Sequence, residues 1–420
     1  MATQKWNLLT AAIAASLSFS ATASEQAQSN GFAEDSTASI LLRNAYFDRD
    51  RKDHLKEHLK DQSRWGQAFI GVFESGFTQG TVGFGLDAIG LYSLRLDQGK
   101  SRDDGGISFF ATRDNGKPLR EIGKAGAAAK VRLSSTVLKY GDQMPELPVL
   151  SNDTTRLIPQ TFTGTLLTSK EIEGLELNVG RFTAQSDNNK AARDSGHLKS
   201  IDVIGGSYEF NENLNAALYH SDIKDFARKN YASLAYTFPI AEARSLAFDF
   251  GIYRTKYSKN FEETEGGRNT IWSLSSKYTM DEHAFIVAYQ KSSGGRPYEY
   301  DYGDGGNTIW LANSFLSDYN AKDERSWQAS YELDFTKYGM PGLLWKTAYI
   351  HGSNIDMSFY GKEGRATERE IFNQVEYVVQ DGAAKDLSLK LRNSILRTSK
   401  GYWNDMNEVR VIIEYPLNLL

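Results

Sequence analysis

Along Asn407–Leu420, the residues Val409, Val411, Ile413, Tyr415, Leu417 and Leu419 fall on one face of an extended chain, and Arg410, Ile412, Glu414 and Pro416 fall on the other. Successive side chains of a strand point to opposite sides. A strand that is apolar on one side and charged on the other separates two media. The same division recurs through the chain. In Ala38–Phe47, Ile40, Leu42 and Tyr46 oppose Ser39, Leu41, Arg43 and Ala45; in Val82–Asp97, Val82, Phe84, Leu86, Tyr92, Leu94 and Leu96 oppose Gly83, Gly85, Asp87, Ser93, Arg95 and Asp97. In Ser326–Phe335, Trp327, Ala329, Tyr331, Leu333 and Phe335 oppose Ser326, Gln328, Ser330, Glu332 and Asp334. The apolar sets end in aromatics, among them Tyr46, Tyr92, Tyr236, Phe238, Phe335, Tyr349 and Tyr415, which suit a lipid–water boundary.

The connections alternate in length. Short turns are expected at Thr78–Thr81, Ser134-Ser135, Ser169–Gly174, Asn211–Asn213, Pro239–Ala243, Met280–His283, Tyr338–Gly342 and Gln380–Asp386. Longer polar excursions separate them: Asp48–Ser63, Gln98–Glu121, Asp142–Thr161, Ala184–Lys199, Ile223–Asn230, Tyr257–Asn269, Ser292–Glu324, Ser353–Ala366 and Thr398–Asn407. This alternation yields about 18 strands with both termini on the short-turn side, the signature of an all-β, transmembrane antiparallel β-barrel. A soluble β sandwich has no reason to sort its loops in this way.

Composition agrees. With 36 glycines, no cysteine and a mean hydropathy of −0.48, the chain is too polar for a helical membrane protein. Beyond the N-terminus it holds no run of about 18 apolar residues that could form a spanning helix. The N-terminus reads as a secretory signal over residues 1–23: Lys5 precedes an apolar stretch, Leu8–Ser20, and Ala21-Thr22-Ala23 fits the small-residue cleavage rule. Residues 24–420 then form a single barrel. Loss of Lys5 takes the formal charge from −5 to −6, an acidity that argues against a nucleic-acid partner.

The segment Tyr140–Gly164 carries three of the eight prolines, Pro145, Pro148 and Pro159. Proline fixes φ and reduces the freedom of a loop. Residues 142–161 are therefore expected to fold into the lumen as a constriction, and 292–324 to form a long extracellular loop. Basic residues recur on the inner faces. Lys130 and Arg132 lie opposite Ala129, Val131 and Leu133; Lys390 and Arg392 lie opposite Leu389 and Leu391; Arg43 and Arg410 sit on the first and last strands, which closure makes neighbours; Arg156 is carried by the constriction loop. Together they suggest a positive track suited to carboxylates, because a guanidinium fork matches a carboxylate and stays charged. Each cation could instead be held by an inner-face acid such as Glu414 or Glu376. Asp301, Asp304 and Asp318 are candidates for an opposing acidic side. His54 and His58 have a zinc-compatible spacing but lack a third ligand. Gly83-Phe84-Gly85 lies within a strand and is not a phosphate loop. No catalytic triad, metal or cofactor is indicated.

Five segments carry a resemblance: Ser36–Asp50, Trp65–Asp97, Ala129–Gly164, Gly303–Asn320 and Glu408–Leu420. The chain resembles the OprD family of outer-membrane channels, also called the Occ or outer-membrane carboxylate channel family, over essentially the whole sequence after the signal. The resemblance implies an 18-stranded barrel in the bacterial outer membrane, with a loop-built eyelet and a basic ladder past which small carboxylates diffuse. By motif, the ladder maps to Arg43, Lys130, Arg132, Arg156, Arg392 and Arg410, with Asp304 on the acidic side of the eyelet. The expected partners are small-molecule carboxylates, outer-membrane lipid and the assembly machinery, with a weak homotrimer compatible. The final residue is Leu420 where an aromatic is usual, which leaves Tyr415 to carry the assembly signal. Organic-anion channels and basic-amino-acid or peptide-type channels share these motifs, and Lys130, Arg132 and Arg156 look closer to the former. A secreted β-rich binding protein and a barrel-embedded hydrolase are the alternatives outside this class.

Overall fold

A computed structural model describes residues 24–52, 61–97, 106–114, 116–259, 266–300 and 309–420. The signal segment, His54, His58, Asp301 and Asp304 lie outside these residues. The strands are β1 (Thr37–Arg51), β2 (Gln62–Glu74), β3 (Val82–Arg95), β4 (Glu121–Leu133), β5 (Thr136–Gln143), β6 (Glu146–Leu147), β7 (Leu150–Ser151), β8 (Thr161–Ile172), β9 (Leu175–Ser186) and β10 (Ile201–Asn211). They continue as β11 (Leu214–Ile223), β12 (Ala227–Ala241), β13 (Arg244–Tyr257), β14 (Gly267–Met280), β15 (His283–Gly294), β16 (Arg325–Asp334), β17 (Leu343–Asp356), β18 (Arg365–Val378), β19 (Ser388–Thr398) and β20 (Met406–Asn418). β6 and β7 are a small hairpin inside one loop. The others form an 18-stranded antiparallel sheet in which each strand pairs with the next and β20 pairs with β1. Closure leaves no edge with unpaired backbone groups, the condition for a sheet to sit in hydrocarbon.

The two faces behave as the alternation requires. Phe84, Leu218, Phe285, Val287, Trp327 and Tyr349 are among many large apolar side chains exposed on the outside, Leu218 at 69%. In water, apolar surface on this scale would drive aggregation; facing lipid it is the stable arrangement. Tyr289 lies between Trp272 and Trp327, with ring centres 5.4 and 4.6 Å apart, as one stretch of an aromatic girdle. The inner face is polar and charged, and two inward loops cover part of it.

Three expected connections differ from the sequence reading, among them Ser353–Ala366, where β17 continues through Asp356. Ile223–Asn230 is no long excursion, because β11 runs to Ile223 and β12 begins at Ala227. Asp48–Ser63 is shorter than expected, because β1 continues through Arg51 and β2 begins at Gln62. Beyond the lipid boundary both faces of a strand are polar, so alternation no longer marks strand there. The segment from Ser24 to Ser36 closes over the short-turn end of β2–β5. The Gln26 amide N–H donates to the Ser134 carbonyl at 3.0 Å, and its side-chain nitrogen donates to the carbonyls of Thr78 and Gly80.

Candidate permeation site

The loop between β5 and β8 lies inside the barrel. Leu157 and Ile158 are fully buried against Ala45, Phe47, Ala68 and Leu91, inner-face residues of β1 to β3. Val149 and Leu150 are buried against Phe162, Phe182 and Tyr253. Each such side chain taken from water contributes about 1.5–3 kcal/mol. Polar anchors fix both ends. On one wall, the Arg43 guanidinium donates to the carbonyls of Thr154 (3.2 Å), Arg156 (2.9 Å) and Leu157 (3.4 Å), and to Glu414 at 2.6 Å. From β13, on the far side of the ring, the Tyr253 hydroxyl donates to the Pro148 carbonyl at 2.9 Å. Inside the loop, the Asp153 carboxylate accepts from the Thr155 amide (2.7 Å), the Thr155 hydroxyl (2.5 Å) and Asn188 (2.8 Å). The chain thus forms a strut from wall to wall.

A second segment also turns inward. Residues 309–324 of the connection 292–324 do not project from the barrel. Tyr319 is buried against Ala348, Ile350 and Phe372. The Leu316 and Ser317 amides donate to Glu370, and the Ser317 hydroxyl donates to Glu368 at 2.8 Å. Asp318, a candidate for a lumen acid, is spent within this segment: the Ser314 hydroxyl donates to it at 2.5 Å, and burial pushes its carboxyl up to about 6. Asp304, the other acid expected at the eyelet, lies outside the described residues.

The basic residues gather on one continuous arc of wall, β19–β20–β1–β2–β3–β4–β5, but they are not equivalent. Arg392 stands opposite Arg410 in the β19–β20 register. Its guanidinium lies 5.0 Å from the Phe372 ring centre, and among the described residues its Nε has no hydrogen-bond partner and no carboxylate is within ion-pair distance. Arg410 stacks on Phe47 at 4.5 Å and shares the Glu408 carboxylate with Arg49. Arg156 reaches the Gly106 carbonyl at 3.0 Å. Burial pushes its guanidinium down to about 10, with Asp153 opposing the shift, so it remains charged at neutral pH.

Lower on the arc, Lys130 and Lys139 share Asp87 at 2.6 and 2.5 Å. Arg132 caps the Phe77 ring at 4.1 Å and donates to the Gln26 side-chain oxygen at 2.9 Å, without a carboxylate partner among the described residues. Two inner-face acids expected from sequence do hold cations, Glu414 with Arg43 and Glu376 with Lys390 at 3.1 Å. Closure does not bring Arg43 beside Arg410. Arg43 faces Glu414, whereas Arg410 faces Phe47, four positions along the strand. Arg43 is a loop anchor as much as a lumen charge. Arg49, Lys139 and Tyr253 belong to the site and escape a sequence reading. Arg49 falls in what reads as loop, and Tyr253 reads as one more inner-face aromatic.

Gly85 makes space for the lower group. A Cβ there would lie 2.6 Å from Lys130 Cε and 2.8 Å from the Gly76 carbonyl. Gly85→Ala is expected to displace Lys130 from Asp87 and to cost about 1–3 kcal/mol, measurable as a lower urea midpoint by tryptophan fluorescence.

Comparisons with known proteins agree with this geometry. The family model described as "outer membrane porin, OprD family" matches residues 30–419. Porin D of Pseudomonas aeruginosa is 41% identical over 453 residues, covering 100% of both chains. Among solved structures, OccAB1 of Acinetobacter baumannii superposes with a TM-score of 0.88 at 37% identity, covering 94% of this chain and 100% of that one. OpdK of P. aeruginosa, determined with vanillate, superposes with a TM-score of 0.81 at 31% identity, covering 92% and 100%. The chain belongs to the OprD family and is an outer-membrane porin of a Gram-negative bacterium, a channel and not an enzyme.

Proposed function

We propose that the porin passes small carboxylate-bearing solutes, organic or aromatic acids, by diffusion along the basic arc. The observation that carries this reading is the facing pair Arg392–Arg410, with Arg156 held above the same stretch by the inward loop. Arg392 has no carboxylate partner among the described residues; its Nε is buried, so an arriving carboxylate would be met by the terminal nitrogens of the guanidinium fork. Arg132, also without a carboxylate partner among the described residues, offers a second contact further along the arc. Weak sites in series let an anion move on, whereas one deep well would trap it. OpdK, a family member, was determined with vanillate, an aromatic acid, which supports this substrate class.

Liposome swelling with benzoate, succinate and arginine tests the reading. Benzoate or succinate is expected to enter several-fold faster than arginine. Faster entry of arginine would favour the basic-amino-acid type of channel instead.

A further inference from the structure

We propose that the outer wall at the long-loop ends of β10 to β14 binds a phosphorylated glycolipid of the outer leaflet, with an acyl chain in a groove over Ala232 and phosphate on Arg254, Lys256 and Arg268. The groove arises from side-chain size. Leu218, Ala232 and Ile252 are cross-strand neighbours on the lipid face, and Ala232 reaches out least of the three. The result is a hollow of about 530 Å³ floored by apolar residues such as Ile204, Leu218 and Phe250. Its rim is polar: His220 and Asn230 bond each other at 2.9 Å, and Arg254 stands opposite Asn230.

Above the rim, Arg228, Lys256 and Arg268 follow one another across β12, β13 and β14. Arg228 is matched by Asp222 at 2.7 Å. Arg254, Lys256 and Arg268 have no carboxylate partner among the described residues and are all exposed. Like charges in neighbouring cross-strand positions repel, so three in a cluster create a demand for an anion.

The girdle residue Trp272 marks the height of the lipid boundary. Arg268 lies four residues further along β14, about 13 Å at the rise of a strand. At a strand tilt of about 40° that is roughly 10 Å of height, on the polar side of the hydrocarbon boundary. Guanidinium forks and an ammonium are the groups that bind phosphate. An apolar trough ending in a cationic patch at headgroup height is complementary to a lipid whose head carries phosphate. This surface faces away from the lumen and is independent of the permeation pathway.

The test uses the full chain, folded in detergent and incubated with diphosphorylated lipid A, with retention read by native mass spectrometry. The wild type is expected to keep the lipid, and the combined variant Arg254→Ala/Lys256→Ala/Arg268→Ala to lose at least tenfold in retention. Dephosphorylated lipid A should be retained as weakly by the wild type as the phosphorylated form is by the variant. Ala232→Trp, which fills the groove and leaves the cations, should also lower retention. Unchanged single-channel conductance certifies that each variant is folded. Equal retention by the triple variant, or equal retention of the dephosphorylated lipid, overturns the proposal. So does dissociation of an oligomer with lipid retention unchanged, which would mark the patch as a contact between copies. Retention that emerges only after Glu262, Glu263 and Glu265 are replaced by Gln likewise overturns it, since the connecting loop would then neutralise the patch.

Discussion

Arg392→Glu is expected to slow uptake of benzoate-like anions by roughly tenfold, with Arg392→Lys retaining most of the wild-type rate. Arg392, like Arg132, has no acid of its own among the described residues, and Arg410 stands directly opposite it. A carboxylate introduced there would sit opposite Arg410 as a second acid beside Glu408, which Arg410 shares with Arg49, and would draw that guanidinium away from solute as well. A unit-charge contact at about 4 Å is worth roughly 4 kcal/mol at an effective dielectric near 20 before desolvation. Solvent in the lumen and salt screen much of this. A residual of about 1.4 kcal/mol, a third of that value, already corresponds to a factor of ten. Liposome swelling, with a neutral solute of similar size as the control, separates loss of anion preference from a blocked pore. Unchanged benzoate-to-neutral ratios in Arg392→Glu would show that the arc takes no part in selection.

Arg43→Ala is expected to enlarge the pore rather than to change its charge preference. Arg43 donates to three loop carbonyls and to Glu414 with one guanidinium. Removing it strands those carbonyls and leaves Glu414 unpaired, at a cost of several kcal/mol by analogy with broken buried ion pairs. The loop would then be held by its apolar contacts and by Tyr253 on the far wall. Single-channel conductance should rise about two-fold or more, with more frequent current fluctuations. Tyr253→Phe removes one neutral hydrogen bond, worth about 0.5–1.5 kcal/mol, and should do the same more weakly. Because Arg43 is engaged by Glu414 and by three loop carbonyls, the ratio of anion to cation current should change less in Arg43→Ala than in Arg392→Glu. The reverse ranking would mean that Arg43 is a selectivity charge and not an anchor.

Much of this was legible in the sequence because a barrel writes its geometry at period two. The lipid and lumen faces of β1, β3, β16 and β20 follow the alternation, and within proline-rich 142–161 the side chains of Val149, Leu150, Leu157 and Ile158 are buried against wall residues. Alternation fails where the strand leaves the membrane, so the extensions of β1 and β2 read as loop and Arg49 went unseen as the partner of Glu408. Pairing is the second blind spot. Sequence places Lys130, Lys390, Arg43 and Arg410 on inner faces, but the charge each presents depends on register. Asp87, Glu376, Glu414 and Glu408 pair with them in turn, Asp87 and Glu408 each shared with a second cation, and Arg392 and Arg132 have no acid among the described residues. Register also moved Arg410 away from Arg43, a distance that no reading of separate strands could supply. The anchoring role of Tyr253 rests on a contact with Pro148 about a hundred residues distant, which carries no local sign.

The most direct test of an anion-preferring lumen is the zero-current potential of the wild-type protein in a planar bilayer separating concentrated from dilute sodium benzoate. If carboxylates pass more readily than sodium, benzoate crosses first and the dilute compartment becomes negative. A dilute compartment that becomes positive, or a protein that inserts and carries no benzoate current, contradicts passage of carboxylates along the basic arc.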